Sequence, residues 1–307
     1  MTYLVGDIGG TNTRLALATS SGVDASTVMR ASNDDYVSFD AVLATYLSKT
    51  NPGALAGVCI AIAGPVHAGK GTLTNRSWAL DTAQICAQTN ASHAELINDL
   101  SALGYALARI STDPVFGTRQ DTTNGQALVA GMGTGFNVSP TRRTSNNGII
   151  AMEAELGHAE LPFTVGKLLR DELGTSAERF QTFEDCFCGR GLERLHETSS
   201  GAKLGGKEIV DSFARGDADA TRTVRLFARA LGRLTQAMIH QYMPRDGIAF
   251  AGSASRGILT SAALPDFISE LTGDTHGIVK PETFPISLIT DDAAALEGCL
   301  QYLSQRA

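Results

Sequence analysis

The 307-residue chain lacks the features that mark exported, membrane-spanning and nucleic-acid-binding proteins. No run of about 18 apolar residues, the length that a spanning helix requires, occurs in it. Its first residues include neither the basic segment nor the apolar region of an export signal. The 25 lysines and arginines are scattered among 32 acidic residues, and the net charge is −7, so no basic face is available for a phosphate backbone. We therefore expect a cytoplasmic protein that binds neither membrane nor nucleic acid.

Cysteine is scarce, and its five residues form an odd, dispersed set. Such a set favours reduced thiols over a disulfide framework in a chain of this length. Cys186 and Cys188 lie one residue apart, but a structural zinc site needs four ligands and the sequence contains no second thiol pair. We expect no protein-bound metal, and both thiols are predicted to pack in the interior.

What recurs in the sequence is a glycine-rich hairpin followed by α/β units, without short-period repeats or low-complexity tracts. Apolar residues make up 43% of the chain, which is enough for the cores of two domains. The spacing of apolar residues over 218–242 predicts one long amphipathic helix. The strands of the two hairpins are predicted over residues 3–5, 15–18, 126–130 and 136–139.

The remaining elements follow from apolar periodicity and turn residues. Further strands are predicted over residues 28–31, 55–63, 94–97, 149–152, 247–251 and 286–290. Further helices are predicted over residues 39–47, 81–89, 101–107 and 293–303, with a helical pattern also from residue 207 onward. Polar stretches predict surface loops over residues 111–125, 141–147 and 198–207.

The first candidate site is the glycine turn of the first hairpin. Adjacent glycines let the backbone approach an anion closely, while the flanking carboxylate, hydroxyl and amide groups suit Mg²⁺ and phosphate. A tight hairpin alone would also explain the two glycines. The candidate nucleotide-binding residues of this turn are Asp7, Gly9, Gly10, Thr11, Asn12 and Arg14.

Two further glycine turns follow predicted strands. Gly133 and Thr134 belong to the second hairpin, and Gly252 and Ser253 follow the strand over 247–251. The second hairpin resembles the first in character, and the small residues around Gly252 leave room for a flat ligand such as adenine. Small residues after strands are common, so each turn alone is a weak signal. Three such turns in one chain favour a nucleotide-binding protein.

A polar pair, Asn98 and Asp99, follows the apolar strand over 94–97. A carboxylate in this position can point into the crevice where open α/β sheets bind ligands. The residues alone favour the simpler alternative, in which Asp99 caps the following helix.

Carboxylates and an imidazole gather in two later segments. Glu155 and His158, separated by Gly157, suit adjacent sugar hydroxyls, which need both donors and acceptors. A solvated turn explains them equally well, whereas the spacing does not fit the helical zinc motif HExxH. Glu184 is the polar residue of interest in the segment 184–192.

Taken in order, these motifs resemble those of the bacterial glucokinase family, within the hexokinase and actin-like ATPase superfamily. Residues 7–14 are similar to the family's first phosphate loop, 130–135 to its second, and 252–253 to its adenosine motif. Asn98 and Asp99 resemble its catalytic strand end. The residues that resemble its sugar-binding set are Asn75, in an Asn-x-x-Trp segment, with Asn98, Asp99, Glu155, His158 and Glu184.

Three positions complicate the resemblance. Glu178 also resembles the family's remaining sugar-binding glutamate, although the glycine after Cys188 favours Glu184. Asn137 stands where the family commonly has glycine after the second phosphate loop, and Cys188 stands where serine is usual. Neither departure removes a charged group.

The resemblance implies an α/β protein with the two-domain actin-like ATPase (ribonuclease H-like) fold and a cleft between the domains. The smaller domain is expected to comprise residues 1–108 and 290–307, and the larger one residues 109–289. The implied activity is that of a glucokinase: with Mg²⁺, it transfers the ATP γ-phosphate to the 6-hydroxyl of glucose and gives glucose 6-phosphate and ADP. Asp99 is the expected base, and a homodimer is the implied assembly.

Two other functions stay open on the sequence. The ROK kinases, which would imply another hexose or an N-acetylhexosamine as substrate, share the first phosphate loop and the Glu-x-Gly-His motif. Their zinc motif is only half present here, because Gly191 comes one residue early and a third cysteine is missing. The second alternative is a non-catalytic sugar or nucleotide sensor on the same fold.

Overall fold

The computed structural model describes residues 1–74, 76–121, 123–146, 148–273 and 279–306. Within these ranges the strands are β1 (Tyr3–Ile8), β2 (Asn12–Thr19), β3 (Gly22–Val23), β4 (Met29–Ser32), β5 (Gly57–Ile62), β6 (Val66–His67), β7 (Lys70–Thr72), β8 (Ala79–Asp81), β9 (Ala94–Asn98), β10 (Asp113–Phe116), β11 (Gln126–Met132), β12 (Phe136–Arg143), β13 (Ile149–Ala151), β14 (Gly247–Ala251) and β15 (Ile286–Leu288). The α-helices are α1 (Phe39–Thr50), α2 (Thr82–Thr89), α3 (Asp99–Ala106), α4 (Phe163–Leu173), α5 (Phe183–Cys186), α6 (Gly189–Ser200), α7 (Gly206–Ala214), α8 (Ala218–Tyr242), α9 (Ser253–Leu259), α10 (Leu264–Thr272) and α11 (Ala294–Ser304).

The chain divides into two compact units. The first combines Met1–Ser111, Arg143–Glu153 and Asp291–Ala307, and the second combines Thr112–Arg142 and Ala154–Thr290. The boundaries predicted from the sequence instead placed residues 143–153 in the larger domain.

Hydrogen bonds between the β13 backbone and the Gln305 side chain explain why residues 143–153 belong to the first unit. The amide of Ile149 in β13 donates to Gln305 Oε1 at 2.5 Å, and Gln305 Nε2 donates to the Ile149 carbonyl at 3.0 Å. Gln305 follows directly after α11. A hairpin signal in the sequence identifies the local turn but not this partner far along the chain.

The sheet of the first unit has the strand order β3-β2-β1-β5-β9, with β4 also paired to β2. The predicted hairpin is confirmed, since β1 and β2 pair in antiparallel register. β1, β5 and β9 run parallel, and their ends are aligned through Ile8, Ile62 and Asn98. Because adjacent strands lie about 4.8 Å apart, the carboxyl ends of β1 and β9 are about 10 Å apart at the same edge of the sheet.

Helices cover both faces of this sheet, because successive strand residues point to opposite sides. Leu4 and Ile8 of β1 belong to a buried cluster with residues of α1 and α2. Tyr3 and Val5 face the other way, in a cluster with residues of α3 and α11. A Cβ added at Gly298 of α11 would lie 1.8 Å from a carbonyl oxygen of α3, so the two helices pack in close contact.

A second, small sheet with the order β6-β7-β8 lies in the segment before α2. No strand was predicted there, because strands of two or three residues carry too little periodicity to be recognised. The four-residue β10 was also missed and lies inside the predicted loop over 111–125.

The second unit repeats the arrangement of the first. Its strands have the order β10-β15-β14-β11-β12, in which β11 and β12 form an antiparallel hairpin and β11, β14 and β15 run parallel. α8 has the predicted bounds, and its apolar stripe is buried in the core of this unit. α4 and α6 lie in a region where no helix was predicted from the sequence.

Glu270 of α10 forms a charged cluster with α8, where Arg229 Nε and Arg233 Nε donate to its two carboxylate oxygens at 2.9 and 2.7 Å. Burial raises the pKa of Glu270, but these two cations outweigh burial and bring the pKa below its ordinary value of 4.5. The ionised carboxylate therefore stabilises the fold above the ordinary pKa, and this contribution is lost as the pH falls through the lowered value.

We expect Glu270→Gln to destabilise the protein by about 1 kcal/mol at pH 7, since the carboxylate is partly exposed and its charge is screened by solvent. Urea unfolding at a series of pH values measures this difference, which should shrink steadily in acid. Lys167→Gln, which removes an exposed cation paired with Asp171 on α4, is the control and should cost less at pH 7. The ionised state assigned to Glu270 would be contradicted if the difference in the free energy of unfolding between Glu270→Gln and wild type stayed the same from pH 7 to strong acid.

No helix among the described residues is both long and apolar enough to cross a membrane.

Candidate active site

The first glycine turn is closed by its own backbone. The amide of Gly9 donates to the Asn12 carbonyl at 2.9 Å, so the chain reverses within four residues between β1 and β2. Thr11 and Asn12 are exposed, and Gly9 and Gly10 are partly exposed. The turn therefore presents backbone and side-chain polar groups at the same sheet edge as the end of β9.

A buried asparagine that sequence reasoning missed holds this turn. Asn33 Nδ2 donates to the Gly9 carbonyl at 2.8 Å, and Asn33 Oδ1 accepts from Thr13 Oγ1 at 2.7 Å. The Asn33 amide donates to the Thr11 carbonyl at 2.8 Å. An isolated asparagine carries no motif, so only the pairing of β4 with β2 could have indicated its position.

Arg76 makes a second connection to the turn. Its Nε donates to the Gly10 carbonyl at 3.4 Å and its Nη1 to the Asn33 carbonyl at 3.1 Å, while Nη2 pairs with Asp34. The guanidinium also lies over the Trp78 ring, 5.2 Å from its centroid. The predicted sugar-binding residue Asn75, just before Arg76, lies outside the described residues.

Asp7 and Arg14 face each other across the hairpin. They are direct partners in the β1–β2 register, and Arg14 Nη1 donates to Asp7 Oδ2 at 2.9 Å. Burial raises the pKa of the Asp7 carboxyl, and the charge and hydrogen bond of Arg14 offset this only in part. Arg14 Nε is buried and has no hydrogen-bond acceptor within the described part of the chain. The pair thus places a carboxylate and an unsatisfied donor directly behind the turn.

Asn98, not Asp99, caps α3. Asn98 Oδ1 accepts from the amides of Leu100 at 3.0 Å and Ser101 at 3.3 Å. Asp99 is the first helical residue, is half-buried, and accepts from the Leu100 amide through Oδ1 at 2.9 Å. The capping role considered for Asp99 is therefore wrong, because the asparagine before it satisfies the first helical amides. The Asp99 carboxylate lies at the edge that carries the glycine turn.

The second glycine turn is joined to Glu184. The Phe136 amide donates to Glu184 Oε2 at 3.3 Å, and a Cβ added at Gly135 would lie 2.6 Å from the same oxygen. The Gly189 amide, at the start of α6, donates to the Gly133 carbonyl at 2.9 Å. The turn, Glu184 and α6 therefore form one contiguous structure within the second unit.

Gly157 brings the segment with Glu155 and His158 against this structure. A Cβ at Gly157 would lie 2.2 Å from the Phe136 carbonyl oxygen and 3.5 Å from Glu184 Oε2. Only glycine allows so close an approach to β12. The exposed side chains of Glu155 and His158 flank this contact point.

Glu178, the alternative to Glu184, is exposed near the end of a short 3-10 helix (Gly174–Arg179). Its carbonyl oxygen accepts from Gln181 Nε2 at 3.3 Å. Glu184 is the glutamate that contacts the second turn.

A cavity of about 410 Å³ opens beside Gly133 and Thr134. Gly252, with a φ of +101°, brings the end of β14 so close to β11 that an added Cβ would lie 2.4 Å from the Met132 carbonyl oxygen. Ser253 and Ala254 then continue into the cavity wall. The lining is completed by Gly189, Arg190, Leu192, Glu193, Gly206, Lys207, Val210, Asp211 and Gly257. Its volume and largely apolar wall are typical of small-molecule sites.

Sequence comparison then identifies the family, because a model named Glucokinase matches residues 4–306. The chain belongs to the glucokinase family. A curated glucokinase from Tolumonas auensis is 28% identical, in an alignment that covers 99% of this chain and 97% of that protein.

Solved structures of glucokinases show the same fold. A glucokinase from an Antarctic psychrotroph superposes with a TM-score of 0.82 at 24% identity, covering 99% of each chain. A ROK-family glucokinase from Streptomyces griseus, solved in complex with glucose and AMPPNP, superposes with a TM-score of 0.68 at 15% identity, covering 100% of each chain. The predicted α/β fold of the actin-like ATPases is thus confirmed.

The two departures from the glucokinase pattern have structural explanations. Asn137 Nδ2 donates to the Ala154 carbonyl at 2.5 Å, and Asn137 Oδ1 accepts from the Leu156 amide at 3.0 Å. The asparagine thus ties β12 to the Glu155 segment. Cys188 Sγ accepts from the Gly191 amide at 3.3 Å, as a serine cap would, and donates to the Glu184 carbonyl at 3.1 Å.

In this glucokinase-family chain, no group of three His, Cys, Asp or Glu side chains that could hold a metal ion occurs among the described residues.

Proposed function

We propose that the protein is an ATP-dependent glucokinase, which transfers the γ-phosphoryl group of ATP to the 6-hydroxyl of glucose and releases glucose 6-phosphate and ADP. The observation that carries this proposal is the alignment of β1 and β9, which sets Asp99 and the turn at Gly9 about 10 Å apart at one sheet edge. A sugar hydroxyl and a terminal phosphate fit within this distance. Membership of the family and the glucose and AMPPNP in the Streptomyces griseus neighbour support it.

Asp99 acts as the general base. Its carboxylate accepts the proton of the sugar 6-hydroxyl as the oxygen attacks the γ-phosphorus in line. Because the transition state of phosphoryl transfer is loose, the protein contributes alignment and charge neutralisation, without a covalent intermediate.

The backbone groups of each glycine turn offer donors to phosphates. In the first unit these are Gly9, Gly10 and Thr11, with Asn12 and Arg14 beside them. In the second unit they are Gly133 and Thr134, and the cavity next to Gly252 and Ser253 receives the adenosine.

Mg²⁺ fits the oxygen donors of the first turn. Asp7 supplies a carboxylate whose Oδ2 is paired with Arg14, and Mg²⁺ in nucleotide enzymes is usually held by one or two carboxylates together with substrate phosphates. Asp7 would hold the ion with the Thr11 hydroxyl near by. When bound, the ion neutralises charge on the phosphates.

The family resemblance supplies the candidate side chains for the sugar hydroxyls. In the first unit Asn98 offers its amide nitrogen, because its oxygen caps α3, and Asn75 is included from the family resemblance. In the second unit Glu155, His158 and Glu184 offer acceptors and a donor. The cytoplasmic location expected from the composition and the homodimer implied by the resemblance both stay predictions.

A coupled assay of ADP release against glucose, mannose, fructose and N-acetylglucosamine tests the proposal. We expect the highest kcat/KM with glucose. A preference for N-acetylglucosamine would identify an N-acetylhexosamine kinase instead of a glucokinase. The absence of sugar-dependent ADP release would identify a non-catalytic sensor.

The two candidates for the sugar-binding glutamate, Glu184 and Glu178, can be told apart by mutation. We expect Glu184→Ala to raise the KM for glucose by about 10- to 100-fold, because a hydrogen bond from a sugar hydroxyl to the carboxylate is lost. Glu178→Ala is the matched control, and its KM should stay within about twofold of wild type. Steady-state kinetics on the two variants decide between them, and the reverse pattern would overturn the assignment.

A further inference from the structure

Arg190, in the first turn of α6, contacts both proposed substrate-binding elements of the second unit. Its Nη2 donates to Glu184 Oε1 at 2.9 Å, and its Nε donates to the Thr134 carbonyl at 3.2 Å. One guanidinium therefore connects the glutamate proposed for the sugar with the turn proposed for the phosphates. No sequence motif identifies this residue.

The negative charge of Glu184 lies next to the proposed phosphate site, and Arg190 neutralises it. Glu184 Oε2 lies beside Gly135 and accepts from the Phe136 amide, so a carboxylate stands directly against the second glycine turn. Phosphates bound at this turn would be repelled by an uncompensated negative charge. The guanidinium on Oε1 neutralises that charge where the repulsion would act.

The neighbouring cations are paired with other carboxylates. Arg194 Nη1 lies 2.5 Å from Asp185 Oδ1, and Arg179 Nη2 lies 3.6 Å from Glu197 Oε2. Arg190 also lines the cavity proposed for the nucleotide, and about 68% of its side chain is exposed. It is thus placed to neutralise Glu184 beside a bound nucleotide.

We propose that Arg190 is a positioning residue that neutralises Glu184 beside the second phosphate turn and so makes nucleotide binding depend on the state of the sugar-binding glutamate. The inference rests on the roles proposed above for Glu184 and for the turn at Gly133. Loss of Arg190 leaves the carboxylate unpaired, which weakens nucleotide binding, and removal of the carboxylate charge should cancel that loss.

Binding of AMPPNP with Mg²⁺, measured by calorimetry, tests this in a double-mutant cycle of wild type, Arg190→Ala, Glu184→Gln and the double variant. We expect Arg190→Ala to weaken binding by about tenfold, and the double variant to bind within about threefold of wild type. Arg190→Lys keeps the charge and should recover most of the affinity. Arg179→Ala, which removes a nearby cation paired elsewhere, should bind AMPPNP as wild type does.

Two results would overturn the proposal. One is an Arg190→Ala variant with unchanged affinity. The other is a double variant that binds as weakly as Arg190→Ala, because Arg190 would then act on the nucleotide without Glu184. The cycle measures binding and requires no turnover. A wild-type protein that fails to phosphorylate glucose would therefore refute the proposed function, while the AMPPNP affinities could still be interpreted.

Discussion

We expect replacement of Asp99 by asparagine to lower kcat by about 10² to 10⁴-fold and to leave the Kd for glucose close to that of wild type. The reason is that asparagine cannot accept the proton of the 6-hydroxyl, although it can still bind that hydroxyl. The local fold should survive, since an asparagine oxygen can accept the Leu100 amide that Asp99 Oδ1 now accepts. Coupled ADP release gives kcat, and calorimetry gives the Kd.

A matched variant separates catalysis from helix stability. Asp40 lies in the first turn of α1, much as Asp99 begins α3, and it accepts from Gln84 Nε2 at 2.7 Å. Asp40→Asn therefore removes a carboxylate near a helix N-terminus, where negative charge is favourable, without removing the proposed base. We expect its kcat to stay near wild type. An Asp99→Asn kcat within about threefold of wild type would refute the role of Asp99.

We expect Gly157→Ala to raise the KM for glucose by about 100-fold, the second large effect that the structure predicts. The new Cβ would overlap the Phe136 carbonyl oxygen, which lies only 2.2 Å from its ideal position. Either β12 or the segment that carries Glu155 and His158 must move by about an ångström, and misplacement of this size in a binding site costs about two orders of magnitude. Steady-state kinetics with glucose as the varied substrate measures the change.

Gly166→Ala is the control for the same chemical change. Gly166 lies within α4, where an added Cβ meets only the end of the flexible Arg170 side chain, at 3.4 Å. Alanine favours a helix over glycine, so this variant should be as stable as wild type or slightly more stable, with an unchanged KM. Equal KM values for the two variants would contradict the close approach at Gly157.

The parts of the fold that the sequence predicted are those that local patterns determine. The hairpin of β1 and β2, the strand β14 and the helix α8 each follow from periodicity and turn residues within one segment. The placement of β13 in the first unit could not be predicted, because it depends on Gln305, which lies 156 residues away.

The residues of the candidate site likewise divide into those that local patterns reveal and those that depend on distant contacts. The glycine turns and Asn98-Asp99 follow strand ends, a position that the sequence reveals. Local residues could not decide whether Asp99 caps α3, because Asn98 and Asp99 are both good capping residues and only the folded backbone shows that the amides of Leu100 and Ser101 bind Asn98. Asn33, Arg76 and Arg190 belong to no motif, and their roles arise from contacts between distant segments.

Every site assignment above depends on phosphorylation of the 6-hydroxyl of glucose by this chain. Phosphorus NMR of the purified protein with glucose, ATP and Mg²⁺ tests for this reaction, since the technique identifies the ester that forms. We predict that the resonance of glucose 6-phosphate grows as ATP is converted to ADP, and that 6-deoxyglucose gives no ester. A phosphate ester at another carbon, or hydrolysis of ATP without any sugar ester, would contradict the account.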